Sequence, residues 1–226
     1  MQLHTRHVPN ISALENYDKG DVEKIVERSL ARLGVTNFDL KRLREFVDAG
    51  FTPASVQLQY SVLDHRPEEE MAQYCKNQGI AMLAYRTVAG GFLSNKYLDK
   101  VKPLQDETRS STKYSLIIEE FGGWDLFQEL LQLLNEIARR QDTDISSVAS
   151  AFILQRPGVV GVIVGARDLS HLKANQRIPN IQFSIEELGL LNKIFERRKG
   201  PHGAVYDLER YSMKHCSIMH TNNNLS

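Results

Sequence analysis

Two short runs are apolar over nearly their whole length: Ile80–Arg86 (IAMLAYR) and Val159–Gly165 (VVGVIVG). Such runs mark strands buried on both faces, as in a parallel sheet covered by helices. Gly79 marks the end of the helix before the first of them. Ser55–Leu63 (SVQLQYSVL) reads as a third strand with Gln57 and Gln59 inside it, and residues 2–8 (QLHTRHV) as a weaker fourth. Helical spacing of apolar residues predicts helices from Asp18 to Leu33, Leu40 to Ala49, Arg66 to Gln78, Trp124 to Arg140, Ile145 to Gln155, Asp168 to Asn175 and Ile185 to Arg198. Ser184 and Glu187 form a capping box for the last, and Thr143-Asp144 are cap candidates for Ile145–Gln155. Asp99 to Ser115 reads as a polar loop.

Strands alternating with helices imply a parallel α/β fold. The alternation breaks at one place. Only Val35-Thr36-Asn37-Phe38 separate the helix ending at Leu33-Gly34 from the helix starting at Leu40. That spacer is too short and too polar for a full strand, although an alternating fold needs a strand there. Asn37 or Asp39 suits the N-cap of the following helix.

Composition adds few constraints. The chain has 226 residues, 42% of them hydrophobic, which is enough for a sizeable core. The formal net charge is zero, so nothing suggests a nucleic-acid partner. No apolar run reaches the roughly 20 residues of a membrane span, and MQLHTRHVPN lacks the apolar core of a secretory signal. Cys75 and Cys216 lie too far apart in sequence to suggest a disulfide framework, so a reducing, cytoplasmic setting is expected. Cys75 reads as a small buried hydrophobe. From Gly200 the composition turns polar; this divides the chain into a domain over residues 1–199 and a C-terminal segment, disordered from His220 to Ser226. His215, Cys216 and His220 lack a fourth ligand, so no metal site is expected.

In parallel α/β folds the ligand lies at the C-terminal ends of the strands. Chemistry should therefore follow Tyr60, Tyr85 and Gly165. The stretch GARDLSHLKAN (Gly165–Asn175) places an Arg ahead of a helix N-terminus, a common anion-binding arrangement and equally a common turn. Neither a GxGxxG fingerprint nor a P-loop is present.

Four segments taken together resemble the aldo-keto reductase family. They are GVTNFD (Gly34–Asp39), SVQLQYSVLDHRP (Ser55–Pro67), GIAMLAYRTVAGGFLSNKY (Gly79–Tyr97) and GVVGVIVGARDLSHLKAN (Gly158–Asn175), in the family's order. The resemblance implies a (β/α)8 barrel, here incomplete with several strands missing. It also implies NADP(H) as cofactor, a small carbonyl substrate, and NADPH-dependent reduction of an aldehyde or ketone by hydride transfer. By resemblance Thr36, Asn37 and Gln57 hold the nicotinamide carboxamide, and Tyr85 stacks on its ring. Arg86, Gly90, Gly91 and Leu93 belong to the segment over the pyrophosphate; Gly165, Ala166 and Arg167 to the 2′-phosphate site; Asn175 to the adenine. Each has a plainer reading too: Asn37 as a cap, Tyr85 as a core aromatic, Gln57 as a satisfied strand amide.

The same resemblance exposes a gap in the catalytic set. The family's proton donor is a tyrosine whose pKa is tuned by a lysine–aspartate pair, with a histidine orienting the carbonyl. Arg6 stands where the family has the lysine; it keeps the charge but cannot release its proton. The aspartate and tyrosine segments have no counterpart, and the histidine segment would fall between Leu33 and Gly34, where two family segments are joined directly. The sequence therefore implies a catalytically incomplete chain. It leaves open a non-catalytic NADP(H)-binding or interaction module, like the family's ion-channel-associated subunits, and a chain that does not fold stably alone. The segment Gly200–Tyr211 would close over the pocket in a complete barrel.

Overall fold

A computed structural model of the chain describes residues 34–104, 108–165 and 170–218. The expected strand at 2–8, the helix at 18–33, Arg6, Ala166, Arg167, Asp168 and the 220–226 tail all lie outside these residues.

A four-stranded parallel sheet forms the centre, with strands in the order β1 (Gly34–Thr36), β2 (Ser55–Gln59), β3 (Ala81–Tyr85) and β4 (Val159–Ile163). Helix α1 (Leu40–Asp48) links β1 to β2, and α2 (Met71–Gln78) links β2 to β3. Three helices, α3 (Arg109–Phe121), α4 (Trp124–Arg140) and α5 (Ile145–Leu154), intervene before β4. After β4 come α6 (Ser170–Arg177), α7 (Ile185–Glu196), and the short α8 (Asp207–Tyr211) and α9 (Met213–Cys216). This is part of a (β/α)8 barrel: parallel strands in sequential order with their helices on one side.

The two sheet faces differ. On β2 and β3 the alternate residues Val56, Leu58, Met82 and Ala84 are fully buried against the helices. The opposite face carries Gln57, Ala81, Leu83 and Tyr85, all only partly buried. In a closed barrel that face is the interior, filled by layers of side chains from every strand. Among the described residues four strands contribute, so these layers are incomplete there. This corrects the expectation that the apolar runs are buried on both faces. On β4 the mismatch is larger: Val160 is 63% exposed and Ile163 44%. A register shift against β3 between Met82 and Leu83 adds to it.

Other boundaries also move. The spacer 34–38 does contain a strand, the three-residue β1, paired in register with β2 (Thr36 with Gln57). Pairing with β2, rather than local apolar content, sets it; only Val35 of the strand is buried. Strand β2 ends at Gln59, where Ser61 and Asp64 close a tight turn by a two-residue bridge. The segment from Arg66 starts as a 3-10 turn, and the α-helix proper begins at Met71. Half of the expected Asp99–Ser115 loop is wrong, because α3 begins at Arg109 behind a Thr108–Ser111 capping box. Its Tyr114, Ile117, Ile118 and Phe121 form a buried stripe at helical spacing.

Several sequence signals hold. Gly79 ends α2 in the left-handed conformation (φ 67°) and its N–H caps the last turn. Asp144 caps α5 and Ser184–Glu187 forms the capping box of α7. Asp39, rather than Asn37, caps α1 by accepting from the Arg42 N–H. Cys75 is fully buried, and burial pushes its thiol up to about 12.

Candidate functional site

The C-terminal ends of β1, β2 and β3 bring the predicted polar residues together. Thr36 and Asn37 end β1, Gln57 and Gln59 lie on β2, and Tyr85 ends β3. Thr36 is the register partner of Gln57, and Gln59 of Tyr85. Asn37 adopts φ 59°, a left-handed conformation that Asn tolerates better than most residues. There its N–H donates to the Gln57 carbonyl and its side chain meets Tyr85, whose hydroxyl donates to Asn37 Oδ1 at 2.6 Å. Residues 48 positions apart in sequence thus share one hydrogen bond.

A cavity of about 250 Å³ opens beside Tyr85. Gln59, Arg86, Arg109, Ser110, Lys113 and Tyr114 contribute to its lining. Arg86 also has positive φ (61°), and its guanidinium donates to Ser110 Oγ at 3.1 Å. Arg86 and Arg109 give this small cavity positive charge that suits an anion, while Lys113 at its edge is paired with Glu209. The loop that follows β3 supplies one wall. Gly91 (φ 100°) has nothing near its open side, whereas a Cβ on Gly90 would meet the Tyr114 ring at 2.7 Å and Ser110 Oγ at 2.9 Å. So Gly90 allows close packing of the loop on α3, and Gly91 faces open space. Leu93 is fully buried, and its carbonyl accepts from Ser146 Oγ.

The far end of the expected site is described in part. Asn175, on α6, donates to the Gly165 carbonyl at 3.1 Å, which ties the helix to the exit of β4.

The sequence reading missed a second set of residues. The C-terminal segment reaches the strand ends through Tyr206, Glu209 and Arg210. The Tyr206 hydroxyl lies 3.2 Å from Asn37 Oδ1 and 3.1 Å from the Tyr85 hydroxyl. Two hydroxyl protons serve three oxygen–oxygen contacts here. Burial lifts the pKa of both phenols, with the Tyr206 bond offsetting part of the effect on Tyr85.

Glu209 ends in a buried ionic network. It accepts from Arg66 Nη1 at 3.1 Å and Nη2 at 3.2 Å, pairs with Lys113 Nζ at 3.0 Å, and takes a further hydrogen bond from Gln59 Nε2. Arg66 also binds Asp64 through Nε (2.8 Å) and Nη2 (2.7 Å). Burial would raise the Glu209 carboxyl, but Arg66 and Lys113 outweigh it and hold the pKa at about 2. Arg66 is itself buried, and its two carboxylate partners hold it charged. Arg210 donates to the Asn37 carbonyl at 2.9 Å and pairs with Asp39.

Among the described residues no group of His, Cys, Asp and Glu could hold a metal, and no helix is long and apolar enough to cross a membrane.

Comparison with known proteins identifies the family. The model of the "Aldo/keto reductase family" matches residues 23–196. Protein tas of Escherichia coli is 25% identical over 197 residues, which cover 85% of this chain and 55% of tas. Two solved structures share the fold. The glycerol dehydrogenase of Gluconobacter oxydans superposes with a TM-score of 0.64 at 17% identity, over 86% of this chain and 58% of that one. An aldo-keto reductase of Klebsiella pneumoniae in complex with NADPH gives 0.53 at 19% identity, over 81% and 55%. The chain thus spans little more than half the length of these relatives. Its matched residues include all four strands and the helices between them, and by that match the chain belongs to the aldo/keto reductase family.

Proposed function

We propose that this chain carries the cofactor half of an aldo-keto reductase site and binds NADP(H). The family activity would be NADPH-dependent reduction of an aldehyde or ketone. The observation that carries the reading is the convergence of Asn37 and Tyr85 on one hydrogen bond, beside a cavity ringed by Arg86, Arg109 and Lys113. The residues fit the group. An amide and a phenol at strand ends suit a carboxamide-bearing ring. The cations beside them suit a pyrophosphate, and the open Gly91 leaves room for it. Gly165 and Asn175, held together at the exit of β4, would carry the adenosine end with Ala166 and Arg167. When bound, NADPH would supply the hydride; this chain's residues would hold and orient it.

The proton is the weak point. Among the described residues Tyr85 and Tyr206 are the phenols that meet Asn37 at the strand ends. Burial raises the pKa of both, which makes them poorer donors at neutral pH. Lys113, the nearest lysine in the network, is committed to Gln59 and Glu209. By the resemblance Arg6 would stand where the family has its lysine, and an arginine could not take that part. By the same resemblance the histidine segment would fall between Leu33 and Gly34, which this chain joins directly. Loss of one member of a catalytic set that works as a unit costs nearly as much as loss of the whole. The reading is therefore an NADP(H)-binding chain without competent proton transfer, closer to a binding module than to a reductase.

Calorimetric titration with NADPH tests the binding part. The intact chain is expected to give saturable binding that an Arg86→Ala, Arg109→Ala double variant weakens. Heats at the blank level up to millimolar NADPH, with the protein folded by circular dichroism, would reject the proposal.

A further inference from the structure

Through Tyr206 the C-terminal segment meets the strand ends at Asn37 Oδ1, an atom that the cofactor reading needs, and at the hydroxyl of the Tyr85 ring on which the nicotinamide would stack. The nicotinamide carboxamide, by that reading, would donate its N–H to Asn37 and stack its ring on Tyr85. Asn37 Oδ1 has two lone pairs, and both phenols already lie against it at 2.6 and 3.2 Å. Two further acceptors at the strand ends are engaged as well. Lys113 donates to Gln59 Oε1 at 2.6 Å, and Arg210 to the Asn37 carbonyl.

Docking is held from three sides. Tyr206 is 6% exposed and sits at φ 75°, a conformation that costs a non-glycine residue energy and persists only when its surroundings impose it. Glu209 is bound by Arg66 and Lys113, and Arg210 by Asp39. The cation cavity lies to one side, and among the described residues Ile218 is the only C-terminal residue on its lining. The phosphate-bearing part of a dinucleotide can therefore approach while Tyr206 stays in place.

We propose that the segment carrying Tyr206, Glu209 and Arg210 is a built-in competitor for the nicotinamide: docked, it occupies Asn37 and Tyr85, and the nicotinamide end of NADP(H) binds only when Tyr206 withdraws. The proposal rests on the cofactor reading above. It differs from a lid, because a lid tightens over a bound ligand and a competitor is released by it. A cofactor that binds only the undocked form has its apparent affinity lowered by the undocked fraction. Loosening the segment should therefore tighten NADPH binding without affecting a ligand that lacks nicotinamide.

Hydrogen exchange on the unmodified chain separates these cases. NADPH at saturation should speed exchange over residues 204–211. Adenosine 2′,5′-bisphosphate, which has the adenine and phosphates but no nicotinamide, should bind and leave that exchange unchanged. Tyr206→Ala should tighten NADPH about tenfold and leave the bisphosphate within twofold. Slower or unchanged exchange over 204–211 with bound NADPH would overturn the competitor and leave the cofactor reading intact. Binding of neither ligand would overturn both.

Discussion

The Tyr206 hydroxyl lies 3.2 Å from Asn37 Oδ1, across 169 residues of sequence. That contact joins the segment beyond the family match to the first described strand. Glu209 makes a second long-range connection, to Arg66, 143 residues away. The strand ends are thus closed by the chain's own C-terminal segment, and the closure is ionic as well as aromatic.

Arg66 is the centre of that closure. Arg66→Ala would leave Asp64 and Glu209 buried without their shared cation. Breaking a buried pair on one side costs about 3–5 kcal/mol. A lower urea midpoint of that size is expected. Lys41→Ala removes only an exposed 4.0 Å pair with Glu45 and should cost less than about 0.5 kcal/mol. Equal effects from the two would show that the network contributes little.

Acid should release the C-terminal segment. The Glu209 pKa is about 2 when docked, against an ordinary value of 4.5. A depressed carboxylate stabilises the docked form fully above 4.5, and that contribution is lost as the pH falls towards 2. The full contribution is on the order of 3 kcal/mol. Glu68, also held at about 2, bonds Tyr60 and His65 rather than this segment, so its protonation in the same range lowers the stability of the fold and not the docking itself. Limited pepsin cleavage of residues 204–211 should rise between pH 4.5 and 2. Glu209→Gln should flatten much of that rise; an unchanged pH profile in the variant would contradict the assignment.

Gly90 and Gly91 should respond differently to alanine. Gly90→Ala places a methyl 2.7 Å from the Tyr114 ring at φ 66°, so strain and overpacking both apply. A loss of about 2–5 kcal/mol is expected, the overpacking and left-handed terms together. Gly91→Ala meets no atom within 4 Å and pays only the left-handed backbone term, about 1–2 kcal/mol. Thermal melts of the two variants check the order.

The cation cavity makes its own prediction. Arg86→Ala should weaken NADPH by roughly 10-fold or more, the usual scale for losing a charge-assisted hydrogen bond. It should also flatten the salt dependence of binding, because one of the phosphate-facing cations is gone. An unchanged salt slope would place the phosphates elsewhere.

Much of this was legible in the sequence, and what was not has identifiable causes. Caps and stops at Gly79, Asp144 and Ser184–Glu187 are local chemistry and read correctly. Strand β1 escaped because three residues with one buried side chain carry no apolar signal; its partner β2 defines it. Helix α3 was hidden behind the polar residues around Thr108–Ser111, although Tyr114, Ile117, Ile118 and Phe121 already had helical spacing. Strand β4 was read as buried on both faces because VVGVIVG is the composition of a closed barrel, and the described sheet stops at four strands. Asn37 and Tyr85 could be placed at strand ends, but Tyr206, Glu209 and Arg210 could not be joined to them. A polar tail gives no local sign that its charges match buried charges more than a hundred residues away.

One titration tests the central claim, that the chain holds NADP(H) but lacks the means to complete reduction. NADPH fluorescence is followed as protein is added, and a panel of simple aldehydes is then added to the saturated sample. The account predicts a saturable change in cofactor fluorescence that persists after the aldehydes are added, at the same level as in a Tyr85→Ala, Tyr206→Ala control corrected for occupancy. A signal that decays with aldehyde faster than in that control, or no saturable signal at all, would contradict it.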